Sequence, residues 1–240
     1  MNRQFFGDTR DLFKYDLVRH IMKALLIFDS FTFIPMLTED DEPVKRKKGS
    51  TKDLDKAIKA GKAGSQNKDL VEHMERLQEI DDDLEYFQTI RAYFKKENII
   101  ADIIHKHPFS HEERGRYFDN ILTRLPKKSL IFLDPDIGLE EIKPSKKHLL
   151  FDEVKKIFDS MDTKSVLMIY QHFPREKHVG YVRRRCEELH NLTGTCPISI
   201  TDNEIVFFVI VKNEKLRENC EETLALYADT YPALSSSGCW

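Results

Sequence analysis

An α/β fold with a mostly parallel sheet, helices on both faces and a C-terminal antiparallel hairpin is what this 240-residue sequence predicts. Three observations carry it. Short continuous apolar runs, among them Ser129–Asp134 and Ser165–Tyr170, read as strands buried on both faces rather than half-exposed alternating ones. Segments with helical apolar spacing lie between such runs, so strands and helices alternate along the chain. Near the end, Pro197–Thr201 and Ile205–Val211 are joined only by Asp202-Asn203-Glu204, which reads as a hairpin.

Taken in order, Asp8 to Lys23 reads as a helix, with Asp8 as N-cap, Asp11 three residues on, and Leu12, Tyr15, Val18 or Arg19, and Met22 near helical spacing. Ala24–Asp29 is a continuous apolar run ending in an acid and is expected as the first buried strand. Ser30–Thr38 contains Pro35 and is left between a long active-site loop and a second short strand. Residues 39–68 are polar, basic and carry three glycines, so they predict a flexible basic insertion. Residues 69–97 are expected as one long helix within that insertion region, since Leu70, Leu77, Ile80, Leu84, Phe87 and Phe94 keep the period. Asn98–His105 follows as a strand and Ser110–Arg124 as a helix capped by Ser110 with Glu113 in the capping-box position. Further helices are expected over Lys147–Met161, Lys177–Leu192 and Asn213–Tyr227, and Ser235–Trp240 as a tail. The whole is expected to be a single α/β domain over residues 1–240.

The hydrophobic fraction of 40% and the charged fraction of 33% describe a globular chain with a wet surface, not a disordered one. No apolar run approaches the roughly 18 residues needed to cross a bilayer. Met1–Arg10 lacks an apolar signal core, so the expected location is cytoplasmic. Cys186, Cys196, Cys220 and Cys239 form no CxxC pair, which argues against zinc and for reduced thiols. The net charge of -3 hides segregation. Pro43–Gly64 carries eight Lys or Arg against two Asp, a local +6, whereas Asp69–Glu85 carries eight acids against one Arg, a local -7. The basic stretch, Lys45 to Lys62, is the candidate contact for the phosphates of RNA or DNA, beside the plainer reading of a solvated loop.

Three constellations point to chemistry. The first is Leu133-Asp134-Pro135-Asp136-Ile137-Gly138, because open α/β sheets bind ligands past the carboxyl ends of their strands. Carbonyls turned out of the ladder there accept hydrogen bonds from an amine; the alternative for Asp136 is a loop cap. The second is Tyr170-Gln171-His172-Phe173-Pro174-Arg175, after the next strand and on the same sheet edge, with Gln171, His172 and Arg175 as candidate substrate contacts. The third is Phe6–Tyr15, where capping explains Asp8 and Asp11 but not Lys14, for which an i, i+3 ion pair with Asp11 is the plain alternative. Arg183, Arg184 and Arg185 cannot share one helix face and read as surface.

Gly7, Asp11 and Lys14 resemble the N-terminal Gly-Asn-x-x-Asp-x-x-Lys-His element of the RlmJ-like ribosomal RNA adenine-N6 methyltransferases, with Tyr15 where the His would stand. Leu130–Asp136 looks like that family's Leu-Ile-Leu-Ile-Asp-Pro-Pro-Tyr strand and motif, Val166–Pro174 like its next strand, and Ile205–Leu216 like its last strand and helix start. The resemblance implies a Rossmann-like methyltransferase-type sheet and an S-adenosylmethionine-dependent methyltransferase acting on an amine of nucleic acid. In that role Asp134 and Asp136 are catalytic and Lys14 supports their loop. Asp29, Ser30 and Asp134 face the cofactor, and Asp11 stands with Gln171, His172 and Arg175 toward the substrate. Two departures stand out: Asp-Pro-Pro-Tyr is Asp134-Pro135-Asp136-Ile137, and the glycine-rich cofactor loop is absent. Two other readings follow from the same residues. One is a non-catalytic module of this fold that binds nucleic acid or a protein. The other is a Mg²⁺-dependent nuclease using Asp134 and Asp136 with Asp8 and Asp11.

Overall fold

The computed structural model describes residues 1, 3–37, 53–104, 107–110, 112–202 and 204–238. Lys45, Arg46, Lys47, Lys48 and Lys52 lie outside these described residues. The elements run α1 (Thr9–Ala24), β1 (Ser30–Ile34), α2 (Leu54–Lys59), α3 (Lys68–Gln78), α4 (Asp83–Lys96), β2 (Ala101–Ile103), α5 (Arg114–Leu122) and β3 (Ser129–Leu133). They continue as β4 (Gly138–Leu139), β5 (His148–Leu149), α6 (Phe151–Ser160), β6 (Val166–His172), α7 (His178–Thr193), β7 (Ile198–Thr201), β8 (Ile205–Val211), α8 (Glu214–Thr230) and β9 (Ser235–Ser237).

Seven strands form one sheet in the order β2-β1-β3-β6-β8-β7-β9, and β4 pairs with β5 in a separate two-stranded piece. β2, β1, β3 and β6 are parallel. β8 inserts antiparallel between β6 and β7, so the chain's closing hairpin sits inside the sheet rather than on its edge. This is the mostly parallel, Rossmann-like methyltransferase-type arrangement with a C-terminal antiparallel hairpin. Strand alternation divides the core in two. Phe31, Phe33, Leu130, Phe132, Met168 and Phe207 pack with α1, α3, α4 and α8 on one face. Ile34, Ile131, Leu133, Leu167, Ile169 and Phe208 pack with α5, α6 and α7 on the other.

The first strand is not where the apolar run lies. α1 absorbs Ala24, its last turn burying Ile21 and Met22, and the chain then leaves Leu26 88% exposed. β1 spans Ser30–Ile34, so the first part of that range is a strand, and Pro35–Leu37 leave it as loop. Its hydroxyls are satisfied across the sheet: Thr32 and Ser129 share a 2.7 Å hydrogen bond, and Ser165 Oγ accepts from the Ser129 N–H at 3.0 Å. Buried hydroxyls paired in this way cost little.

Other boundaries also moved. The expected long helix over 69–97 is broken at residues 79–82 into α3 and α4, where Asp82 caps α4 by accepting from the Glu85 N–H. Part of the expected flexible insertion is α2, which buries Leu54 and Ala57. Ser110 does not cap α5, whose helix starts at Arg114. Ser235–Ser237, expected in a tail, joins the sheet as β9 beside β7. Arg185, expected at the surface, is buried against Tyr181 and Glu188. Cys186 and Cys220 are buried free thiols, as expected, but Cys196 is disulfide-bonded. No helix among the described residues is long and apolar enough to cross a membrane.

Gly64 locks the α2–α3 segment onto α1. Its φ is +82°, and a Cβ there would stand 2.6 Å from the Leu12 carbonyl. Gly64→Ala is therefore expected to lose about 2–3 kcal/mol of unfolding free energy in urea titration, from left-handed strain plus the clash.

Candidate functional site

The chemistry-bearing side chains converge where α1 meets the carboxyl end of β3. Asp8 caps α1, its Oδ1 accepting from the N–H groups of Arg10 and Asp11. Gly7, at φ +70°, turns the chain so that its N–H donates to Asp11 Oδ2 at 2.9 Å. Tyr86 from α4 donates to the same oxygen at 2.7 Å. Asp11 Oδ1 then lies 3.0 Å from Lys14 Nζ, the ordinary i, i+3 pair. That same Nζ donates to Asp134 Oδ2 at 2.9 Å and stands 4.1 Å from the centre of the Tyr170 ring. Both readings of Lys14 hold at once: it pairs locally, and it ties α1 to the end of β3.

These groups are dry, Lys14 being 5% and Asp134 0% exposed. Burial opposes charge on Lys14, but Asp134 and then Asp11 outweigh it and hold its ammonium well above the ordinary lysine range. Burial also raises Asp134, more than Lys14 lowers it. Both shifts have one origin, a desolvated site with more carboxylate than cation.

A cavity of about 20 Å³ opens beside the pair, lined by Asp8, Arg10, Asp11, Lys14, Asp134 and Asp136 together with Tyr170, His172, Met1 and Phe5. The Met1 amino nitrogen donates to the Asp134 carbonyl at 2.9 Å and to the Met36 carbonyl at 3.2 Å. The Asp134 carbonyl thus accepts from the chain's own amino group in a buried contact. Two carboxylate oxygens at the cavity, Asp8 Oδ2 and Asp134 Oδ1, are buried with no hydrogen-bond partner. Burial, and secondarily Asp11, pushes Asp8 up to about 7. Burial, and then Arg10, brings His172 down to about 3, so this imidazole is neutral and shares a 2.9 Å hydrogen bond with the Tyr170 hydroxyl.

Of the residues singled out in sequence, Lys14, Asp11, Asp134, Asp136 and His172 come together at this cavity. Gln171 does not face it. Its Oε1 accepts from the Leu139 N–H at 2.7 Å and its Nε2 donates to the His172 carbonyl, clamping the β4 loop to β6. A Cβ at Gly138 would collide with that amide at 2.3 Å, which is why glycine stands there. Arg175 is exposed on the loop before α7. Asp29 and Ser30 lie at the opposite end of the sheet from Asp134: Ser30 is in register with Ser129, the first residue of β3, and Asp29 faces Lys128 at 3.7 Å. Four strand steps, roughly 13 Å, separate them from the carboxyl end. Arg10 and Tyr86 belong to the site without having been singled out in the sequence, whereas Asp8 stood out there both as a cap and in the Mg²⁺ reading.

The S-adenosylmethionine implied by the resemblance does not fit the residues present. The chain leaving β1 reads Pro35-Met36-Leu37, without glycine, and Met36 packs with Ile104 and Phe109 over that strand end. A cavity of about 20 Å³ holds about one water, whereas small-molecule pockets run to roughly 300 Å³ or more. Among the described residues, no group of three or more His, Cys, Asp or Glu is placed to hold a metal ion.

No family model matches this chain, and no curated protein matches it significantly. Among solved structures it is similar to a Legionella pneumophila (strain Philadelphia 1) protein of the DUF519 family, at 10% identity, with 97% of each chain covered and a TM-score of 0.45.

The two shifted groups act oppositely on stability. Asp8, raised to about 7, holds an extra proton in the folded state between about pH 4 and 7, so its contribution falls as pH rises through that window. His172, lowered to about 3, makes stability rise between about pH 3 and 6.5. In urea titrations, wild-type stability minus that of Asp8→Asn is expected to decline from pH 4 to 7, by at most about 1.4 kcal/mol per pH unit. A difference that stays flat contradicts the assignment.

Proposed function

We propose that this chain is a non-catalytic module of methyltransferase-type fold that binds nucleic acid beside the carboxyl end of its sheet. One observation carries the reading: the described part of the basic segment, from Asp53 to Lys62, is fixed next to the site. α2 buries Leu54 and Ala57 and leaves Lys56 and Lys59 exposed. Lys62, just after it, pairs with Glu204, whose other oxygen lies 3.9 Å from Arg10 at the cavity rim. A helix held in place with lysines outward offers phosphate contacts without the cost of ordering a loop. The site side chains meanwhile satisfy one another: Lys14 serves Asp11 and Asp134, and Gln171 serves the β4 loop.

A second reading, an S-adenosylmethionine-dependent N-methyltransferase acting on a nucleic-acid amine, is favoured by the sheet order with β8 between β6 and β7. The misfit of the cofactor weighs against it. The Mg²⁺ nuclease reading finds no ligand set among the described residues.

Fluorescence anisotropy with labelled single- and double-stranded RNA and DNA separates these readings. Salt-dependent binding is expected, weakened about tenfold or more in the Lys56→Glu, Lys59→Glu double variant, with a shallower salt slope. Calorimetric titration with S-adenosylmethionine is expected to give no saturable heat. Saturable heat together with methyl transfer to RNA replaces the first reading with the second.

A further inference from the structure

We infer that the cavity beside Asp134 is a binding site for one primary ammonium group, the size of ammonium ion or the head of methylammonium. The inference is independent of the nucleic-acid reading and rests on atoms, space and charge. Asp134 Oδ1, on a fully buried side chain, and Asp8 Oδ2, on one 1% exposed, have no hydrogen-bond partner, Asp8 Oδ2 having only Arg10 Nη1 at 3.8 Å, beyond hydrogen-bond range. Both residues line one cavity of about 20 Å³. Two buried orphan acceptors facing one space call for a guest that donates to both; Arg10 Nε on the outer wall, likewise without a hydrogen-bond partner, lies 3.9 Å from Glu204. The space itself admits a guest of about one water's size.

Charge separates ammonium from water. Asp136 is matched from outside by Lys147 at 3.8 Å. Within the site stand the carboxylates of Asp8, Asp11 and Asp134 against the cations of Lys14 and Arg10. Burial brings the Met1 amino group down to about 6, so it is largely neutral at pH 7. With all three carboxylates ionised one negative charge remains, and a monovalent donor neutralises it where water does not. The remaining oxygens are engaged: Asp11 Oδ1 with Lys14, Asp11 Oδ2 with Gly7 and Tyr86, Asp8 Oδ1 with the α1 N-terminus and Asp134 Oδ2 with Lys14. The guest therefore meets two defined acceptors, with Arg10, Asp136 and His172 on the half-buried outer wall. Asp8, raised to about 7, takes up a proton when no such cation is present, and an ammonium guest displaces that proton.

The test is thermal unfolding of the full chain at pH 7 and fixed ionic strength in ammonium, methylammonium, sodium and tetramethylammonium chlorides. Tm is expected to rise in ammonium and methylammonium by about 3 °C for each tenfold excess over the dissociation constant, and not in sodium or tetramethylammonium. Asp8→Asn keeps a good N-cap while removing the charged orphan oxygen, and it is expected to abolish the ammonium-specific rise. An equal Tm in all four salts for the wild-type protein overturns the proposal and leaves the cavity to a water. That comparison needs no variant, so it decides the matter even where Asp8→Asn does not fold.

Discussion

The ion pair between Lys14 and Asp134 is the contact on which the rest of this architecture turns. It joins residues 120 positions apart, in a place where neither side chain meets water. A buried charge without its partner costs several kcal/mol, so each residue fixes the other. Lys14 cannot reach Asp134 unless α1 begins at Thr9, and that start depends on the Asp8 cap and the left-handed turn at Gly7. Asp11 then holds the ammonium from the α1 side, and Tyr86 of α4 fixes Asp11 by donating to its other oxygen. The N-terminal helix is thereby pinned across the end of the sheet where open α/β folds place their ligands.

That pinning shapes what the site can do. A sheet edge that offered backbone to a large cofactor would need glycine and open space after β1. Here Met36, Ile104 and Phe109 fill the region, and the polar groups close on a cavity of water size. The sheet has a Rossmann-like, mostly parallel strand order, while the chemistry at its carboxyl edge is that of a dry, slightly anionic pocket. In the function we propose, recognition of a large partner falls to surfaces beside the pocket, of which the lysine-bearing α2 is tied to it through Lys62, Glu204 and Arg10. The unused carboxylate oxygens of Asp8 and Asp134 are a separate resource, suited to a small donor.

Much of this fold is legible in the sequence because burial on both faces leaves an unmistakable mark. Ser129–Leu133, Val166–His172 and the hairpin of Ile198–Thr201 with Ile205–Val211 were all readable as apolar runs. β1 was not. Its Ser30 and Thr32 look unsuited to a buried strand until Ser129, about a hundred residues on, supplies their hydrogen bonds, whereas Ala24–Phe28 has the composition of a strand but ends a helix. Displacing β1 by a few residues carried Asp29 and Ser30 to the wrong end of the sheet. The break between α3 and α4 has no Gly or Pro to announce it, only an acidic run around Asp82. At the site, Asp134, Lys14 and Asp11 were found through spacing and resemblance. Gln171's role as a clamp and the orphan oxygen of Asp8 are properties of packing that no local pattern carries.

A double-mutant cycle on Lys14 and Asp134, using Lys14→Met, Asp134→Leu and both together in urea denaturation, tests the central claim most directly. Each single variant is predicted to lose about 3–5 kcal/mol, and the double variant much less than their sum, with a coupling of about 2 kcal/mol or more. Additive losses would contradict the account, since the two side chains would then stabilise the fold independently and α1 would not depend on the end of β3.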